Sequence, residues 1–351
     1  MMKKNNDAPV VSHELHHNEL SESTKKSMGK RIISAIVMIA LFVPAIILGD
    51  WIFFVFMFLI LAIACFEILG CAGKRTFVIY IIYVLFVALI ACWPLFKGIV
   101  TTPQEDLSPK VDGYYFAGLY LPITIVVVGF FLLFWLTVIY KDFSVVDASF
   151  LITMAIVLGL GFQCIYFLRY FPVSAFGING EKPFDYNMDN TFKVSLLLLF
   201  VILSTVLTDV GAYFVGVFFG KHKMNERISP KKTWEGFYGG IIISFILTSS
   251  IGLVFAALNY PILPFLDLNR WYLILILSFI TPFFATLGDF VFSAIKRYWG
   301  IKDYGNLIPG HGGVLDRLDS LFFASIVSGI FVSISNVALG AGSIPWEKIL
   351  V

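Results

Sequence analysis

Charge is what this 351-residue chain lacks: 14% of its residues are charged and 59% are hydrophobic. A soluble domain carries nearer a quarter charged residues, so a soluble globular fold is excluded. Alternation is missing too. The apolar residues come in continuous runs and not with period two, which argues against a transmembrane barrel. Cysteine is sparse, and Cys65, Cys71, Cys92 and Cys164 lie in or beside apolar runs without paired spacing. They read as small packing residues and not as a disulfide frame or a zinc site. There is no P-loop and no kinase glycine-rich loop with its catalytic aspartate signature. No internal repeat is visible, which weakens an inverted-repeat transporter. No cleavable signal peptide is expected, because the chain opens on a polar stretch. His13, His16 and His17 cluster there; a disordered polar tail accounts for them better than a metal site does.

What is present is a series of apolar runs of roughly 20 residues, the length that crosses a bilayer. The sequence predicts an all-α polytopic membrane protein with about nine transmembrane helices. They fall near 32–49, 51–69, 76–96, 114–140, 148–171, 192–219, 236–258, 270–292 and 318–341. A very tight turn joins the first two, which read as two spans or as a re-entrant pair. Three regions are expected: a polar cytoplasmic tail over 1–31, an N-terminal membrane region over 32–191 with about five helices, and a catalytic membrane region over 192–351 with about four. With these spans, 18 of the 25 Lys and Arg residues fall on the side of the N-terminus. The positive-inside rule then puts the N-terminus in the cytoplasm and the C-terminus outside.

Polar chemistry concentrates in two of the cytoplasmic segments. Asp289, Ser293 and Lys296 follow i, i+4, i+7 and share one helix face. An ionisable residue inside a span is costly and faces a partner or cavity, so Asp289 is a candidate site residue; Arg297 adjoins this face. Lys302 and Asp303 follow, then "IPGHGGVLDRLDS" over 308–320. Gly312 and Gly313 let a phosphate approach backbone N–H groups, with His311 among them. Asp316 and Asp319 share a face of the ninth span's first turn, beside Arg317. They read either as complements to the helix dipole or as ligands for a hard cation. The second segment is "GKHKMNERISPKKTWEG" over 220–236. Ser229-Pro230 is expected to start a turn or a helix. Lys231, Lys232 and Thr233 offer donors and Glu235 a carboxylate; attraction to anionic lipid is the competing use of such lysines. Upstream, Asp209 is another acid inside a span. Gly216 and Gly220 make a GxxxG step, read as close helix packing. Carboxylates for a cation, and cations with glycine backbone for phosphates, are equipment for phosphoryl or nucleotidyl transfer.

These residues resemble a known family. Ser293-Ala-Ile-Lys296-Arg297, Lys302-Asp303, and Pro309-Gly-His311-Gly312-Gly313-Val-Leu-Asp316-Arg317-Leu-Asp319 are similar to the signature of bacterial phosphatidate cytidylyltransferases, the CDP-diacylglycerol synthases. Ser229-Pro-Lys231-Lys232-Thr233-Trp-Glu235-Gly resembles the family's second motif, and Asp209-Val-Gly-Ala-Tyr the start of its C-terminal half. The resemblance covers roughly 205–340.

The resemblance implies the reaction CTP + phosphatidate to CDP-diacylglycerol + pyrophosphate, in phospholipid biosynthesis. It implies Mg²⁺, with a second cation left open, held by Asp289, Asp316 and Asp319. Lys296, Arg297, Lys302 and Arg317 would neutralise phosphates, and Asp303 and His311 complete the catalytic set. Ser229, Lys231, Lys232, Thr233, Glu235, Ser293, Gly312, Gly313 and Asp209 would hold substrate. His311 would either act on a phosphate oxygen or orient the glycine loop. The expected partners are CTP, phosphatidate, membrane lipid and a second copy of the chain, without nucleic acid. The expected location is the cell membrane, with the active site facing the cytoplasm. The rivals are a CTP-dependent polyprenol or phytol kinase, a cation-coupled transporter, and a catalytically dead scaffold.

Overall fold

The structure is a computed structural model that describes residues 22–100, 121–175, 188–310 and 312–339. The histidine-containing tail, most of the two long loops that follow the third and fifth predicted spans, and His311 lie outside the described residues. The described residues are mostly helical, as a chain must be where lipid leaves backbone groups no water to bond. The helices are α1 (Glu22–Leu48), α2 (Asp50–Cys71), α3 (Phe77–Val100), α4 (Leu121–Ile139), α5 (Val145–Ala175), α6 (Met188–Phe219), α7 (Trp234–Ala257), α8 (Trp271–Tyr298) and α9 (Leu315–Ala338). Among the described residues, seven helical segments are long and apolar enough to cross a membrane: parts of α2 and α4–α6, all of α7 and α9, and a stretch ending with α8. Two shorter apolar stretches, Ile36–Leu48 in α1 and Phe77–Cys92 in α3, accompany them. The all-α polytopic membrane class is therefore the observed one.

Contacts at the two ends of the bundle show how α1 runs. Ser34 Oγ donates to Pro309 O at 3.1 Å. At the opposite end Arg169 of α5 donates to Ile46 O at 2.6 Å and Ile47 O at 3.2 Å. Those carbonyls belong to the last turn of α1, where no intrahelical partner exists. So the stretch of α1 from Ser34 to Ile47 is fixed at both ends before the chain turns at Gly49 into α2.

Small residues set the α6–α7 interface. Without a hydrophobic drive between helices in lipid, close backbone approach and interhelical hydrogen bonds do the work. A Cβ on Gly240 would fall 2.7 Å from Thr208 O, and one on Gly236 would fall 2.8 Å from Ala212 O. A Cβ on Gly216 would fall 3.7 Å from Gly236 Cα, so this glycine of the GxxxG step lies at the seam, whereas Gly220 lies past the end of α6. Ser244 Oγ donates to Ser204 O at 2.9 Å across the same seam. Gly240→Leu is expected to force the two backbones apart and cost about 1–3 kcal/mol or more. A fall in the thermal midpoint in detergent, relative to Ile242→Leu on the exposed face, checks it.

Between α6 and α7 the chain departs from expectation. Residues 229–233 form neither a helix nor its start. They are strand β2 (Ser229–Thr233), antiparallel to β1 (Lys223–Asn225), with Lys223 opposite Thr233 and Asn225 opposite Ser229. Asn225 Oδ1 accepts from the N–H groups of Arg227 and Ile228 at 3.1 and 3.2 Å and closes the turn. Pro230 is tolerated because a two-stranded ribbon leaves it a free edge. The helix α7 starts after Thr233, whose hydroxyl accepts from Gly236 N–H at 3.2 Å as its N-cap.

Candidate active site

Three helices and two connections deliver the polar residues to one end of the bundle. The helix α8 has 28 residues and α6 has 32, about 42 and 48 Å at 1.5 Å per residue, against a core of about 30 Å. Both helices are thus longer than the core requires, and Lys296 and Arg297 lie in the last turn of α8. The helix α8 stops at Gly300, whose φ of +67° suits glycine. Ile301 N–H donates to Lys296 O at 2.9 Å and Gly300 N–H to Arg297 O at 3.1 Å, closing a Schellman turn.

The predicted face of α8 is present, with different pairings along it. Asp289 bonds Ser293 at 3.3 Å. Its other oxygen takes Lys232 from β2 in an ion pair. Lys296 reaches α9 instead: its ammonium lies 2.8 Å from Asp316 Oδ1 and 3.9 Å from Asp319 Oδ2. All three of Lys296, Asp316 and Asp319 are buried. Asp209 on α6 lies within electrostatic reach of Asp289, Lys232 and Arg317, and Asp319 feels both Asp289 and Asp209. So acids from three helices face one another, interleaved with lysines.

The connection between α8 and α9 wraps this cluster. Asp316 Oδ2 accepts from Tyr304 N–H at 2.8 Å and Gly313 N–H at 2.9 Å. Ile308 N–H donates to Gly312 O at 2.9 Å, across a turn in which Gly312 has φ +86°. Another residue there would be strained, and its Cβ would fall 3.0 Å from Asp316 Oδ2. Lys302, Asp303, Gly310, Gly312 and Arg317 line a cavity of about 510 Å³, within the range of small-molecule sites. The Tyr304 phenol donates to Phe292 O at 3.1 Å. Burial raises its pKa, so it stays a neutral donor.

Some of the predicted site residues, catalytic and substrate-binding, hold the site's walls. Glu235 accepts from the N–H groups of Lys221 and His222 at 3.1 and 3.2 Å and bonds His222 Nδ1 at 2.6 Å, clasping the hairpin to α7. Thr233 is the α7 cap described above. Arg297 donates to Ile228 O at 3.2 Å and Ile301 O at 3.0 Å, tying the hairpin to α8. Ser229 and Lys231 lie on β2, Lys231 exposed. Two residues outside the predicted set belong to the cluster: Tyr304, and Glu67 of α2, which accepts from Val314 and Leu315 N–H. Glu67 has a signal in the sequence, an acid inside an apolar run; Tyr304 has none.

Carboxylate oxygen is the donor type that a hard cation takes, and here Asp289 pairs with Lys232 while Asp316 and Asp319 face Lys296. Among the described residues no three carboxylate, histidine or cysteine side chains converge on one ion position.

A family model described as the cytidylyltransferase family matches residues 29–335. The phosphatidate cytidylyltransferase of Staphylococcus epidermidis is 32% identical over 296 residues, 84% of this chain and 95% of its own length. Those of Staphylococcus haemolyticus and Staphylococcus aureus are each 31% identical over 296 residues, with the same coverage. The match takes in α1–α3 as well as the polar cluster, so it reaches well beyond the signature. With nearly the whole bundle and its polar end included, this chain belongs to the cytidylyltransferase family.

Proposed function

We propose that the protein is a phosphatidate cytidylyltransferase: it joins CTP and phosphatidate to give CDP-diacylglycerol and pyrophosphate. The observation that carries this is the meeting of lysines, arginine, carboxylates and a polar cavity at one end of a membrane bundle. The full-length relatives are named for that reaction. Catalysis of this kind is mostly positioning and charge neutralisation.

The chemistry needs no strong base, because the phosphatidate phosphate is ionised near neutral pH. Its oxygen forms a bond to the α-phosphorus of CTP, and the bond to the pyrophosphate oxygen breaks, that oxygen keeping the electron pair. Lys302 and Arg317, which line the cavity, receive the triphosphate. Lys232 and Lys296 offset charge at the deeper end, and Ser293 holds Asp289 in orientation. The hairpin, with Lys231 exposed, borders the lipid-side approach. His311 is proposed to donate to a phosphate oxygen or to orient the glycine turn. Asp289, Asp316 and Asp319 would hold Mg²⁺, in exchange for their contacts with Lys232 and Lys296. Bound there, the ion would lessen the repulsion between two anionic substrates.

The topology proposed is nine spans with the N-terminus and the site in the cytoplasm, a C-terminus outside, and a homodimer in the cell membrane. Residues 192–351 carry the chemistry and residues 32–191 support it, while 1–31 form the tail. The 18-to-7 distribution of Lys and Arg supports this orientation.

Purified protein given phosphatidate, Mg²⁺ and CTP labelled at α or at γ tests the reading. Label from α is expected in the lipid, with pyrophosphate released. Label from γ in an added polyprenol would select the kinase instead. No transfer by folded protein would overturn both and turn attention to ion flux in liposomes.

A further inference from the structure

The start of α9 has an unusual cap. A helix begins with orphan N–H groups that need acceptors, and the residue at the N-cap of α9 is Val314, which has no acceptor side chain. The acceptor comes from 247 residues earlier in the chain. Glu67, near the end of α2, accepts from Val314 N–H at 2.9 Å with Oε1 and from Leu315 N–H at 2.8 Å with Oε2. Glu67 is 3% exposed. The connection is shaped around it: a Cβ on either Gly305 or Gly313 would fall 2.5 Å from Oε1. A negative group at this end also complements the helix dipole.

The capped turn carries the reacting cluster. Leu315 precedes Asp316, which holds Lys296 and the Tyr304 and Gly313 N–H groups. Asp319 follows one turn later on the same face. Glu67 and Asp316 thus both grip the loop, one from α2 and one from α9 itself. Three of the four oxygens face backbone N–H groups; the fourth faces Lys296.

We propose that Glu67 is a positioning residue for cytidylyl transfer: it sets the first turn of α9, and through it the placement of Asp316, Asp319 and Lys296 against the transferring phosphate. The proposal rests on the function proposed above for the same site. A carboxylate is required because both oxygens accept. Glu67→Gln would turn an amide NH₂ against one of two backbone N–H donors. Misplacement of a catalytic group by about 1 Å costs up to about a hundredfold in rate.

The test compares purified wild-type protein with Glu67→Gln and Glu67→Asp. In Glu67→Gln, kcat is expected to fall about ten- to a hundredfold while KM for phosphatidate stays within about twofold. Glu67→Asp, with both acceptors but a shorter reach, should fall between. Hydrogen exchange of the peptide covering 313–316 should quicken in Glu67→Gln. Wild-type kcat in folded Glu67→Gln, or unchanged exchange, overturns the proposal. Should Glu67→Gln fail to fold, Gly305→Ala decides: it keeps the carboxylate but its Cβ, 2.5 Å from Oε1, must push that group off the turn, and a normal kcat there overturns the proposal equally. Absence of transfer by the wild type would instead strike the function proposed for the site. The exchange measurement would then still report whether Glu67 holds the turn.

Discussion

Asp289→Asn is expected to lower turnover by about 10²–10³-fold or more while the bundle stays folded. The side chain is half-buried, and the amide has the same shape and keeps an oxygen for Ser293. What it loses is charge. Asp289 acts on both Asp209 and Asp319 and also pairs with Lys232 from the hairpin. Removing that charge leaves the lysine without its carboxylate and the proposed cation with one ligand fewer. The lysine is itself partly exposed and can turn to water, so the stability cost is small. Initial rates with α-labelled CTP, on protein shown to be monodisperse, measure the effect. Wild-type turnover in that variant would remove Asp289 from the chemistry.

Lys296→Met is expected to do two things at once. Lys296 is buried between two buried carboxylates, 2.8 Å from Asp316 and 3.9 Å from Asp319. Truncating one partner of a buried ion pair leaves the other charge uncompensated, at about 3–5 kcal/mol. The variant should therefore melt well below wild type in detergent and show no transfer. The pairing makes a sharper statement possible. Lys296→Met combined with Asp316→Asn removes one of the stranded charges, so the double variant should melt above the single one and still be inactive. The two substitutions share one contact, so additive losses of stability would refute the pairing. Lys232→Met offers the contrast: its pair with Asp289 is half-exposed, where such pairs count for little stability. It should cost activity with little change in melting.

Much of the fold could be read directly from the chain. The apolar runs near 148–171, 192–219 and 236–258 correspond to α5, α6 and α7 to within a few residues at most ends. Lipid demands continuous apolar helix, and that demand is written locally. The ends are less legible, because they depend on what lies past the membrane. The run expected to stop at 292 continues as α8 to Tyr298, since Lys296 and Arg297 find carboxylates and carbonyls that only the folded chain supplies. Residues 229–233 became a strand for a related reason: their hydrogen-bond partners are in β1, and pairing between separate strands leaves little periodicity over five residues.

The site divides in the same way. Composition and spacing alone determined that this is a helical membrane protein, that Asp289, Ser293 and Lys296 share a face, and that Asp316 and Asp319 share another. Helical periodicity is a property of one segment, so no tertiary information was needed. Only the tertiary structure decided who pairs with whom: Lys232 with Asp289, Lys296 with Asp316, and Glu67 with the first turn of α9. Those contacts join residues 57, 20 and 247 or 248 positions apart. A charge finds its partner through space, and in a bundle that choice is made by which helix ends the packing brings to the same depth.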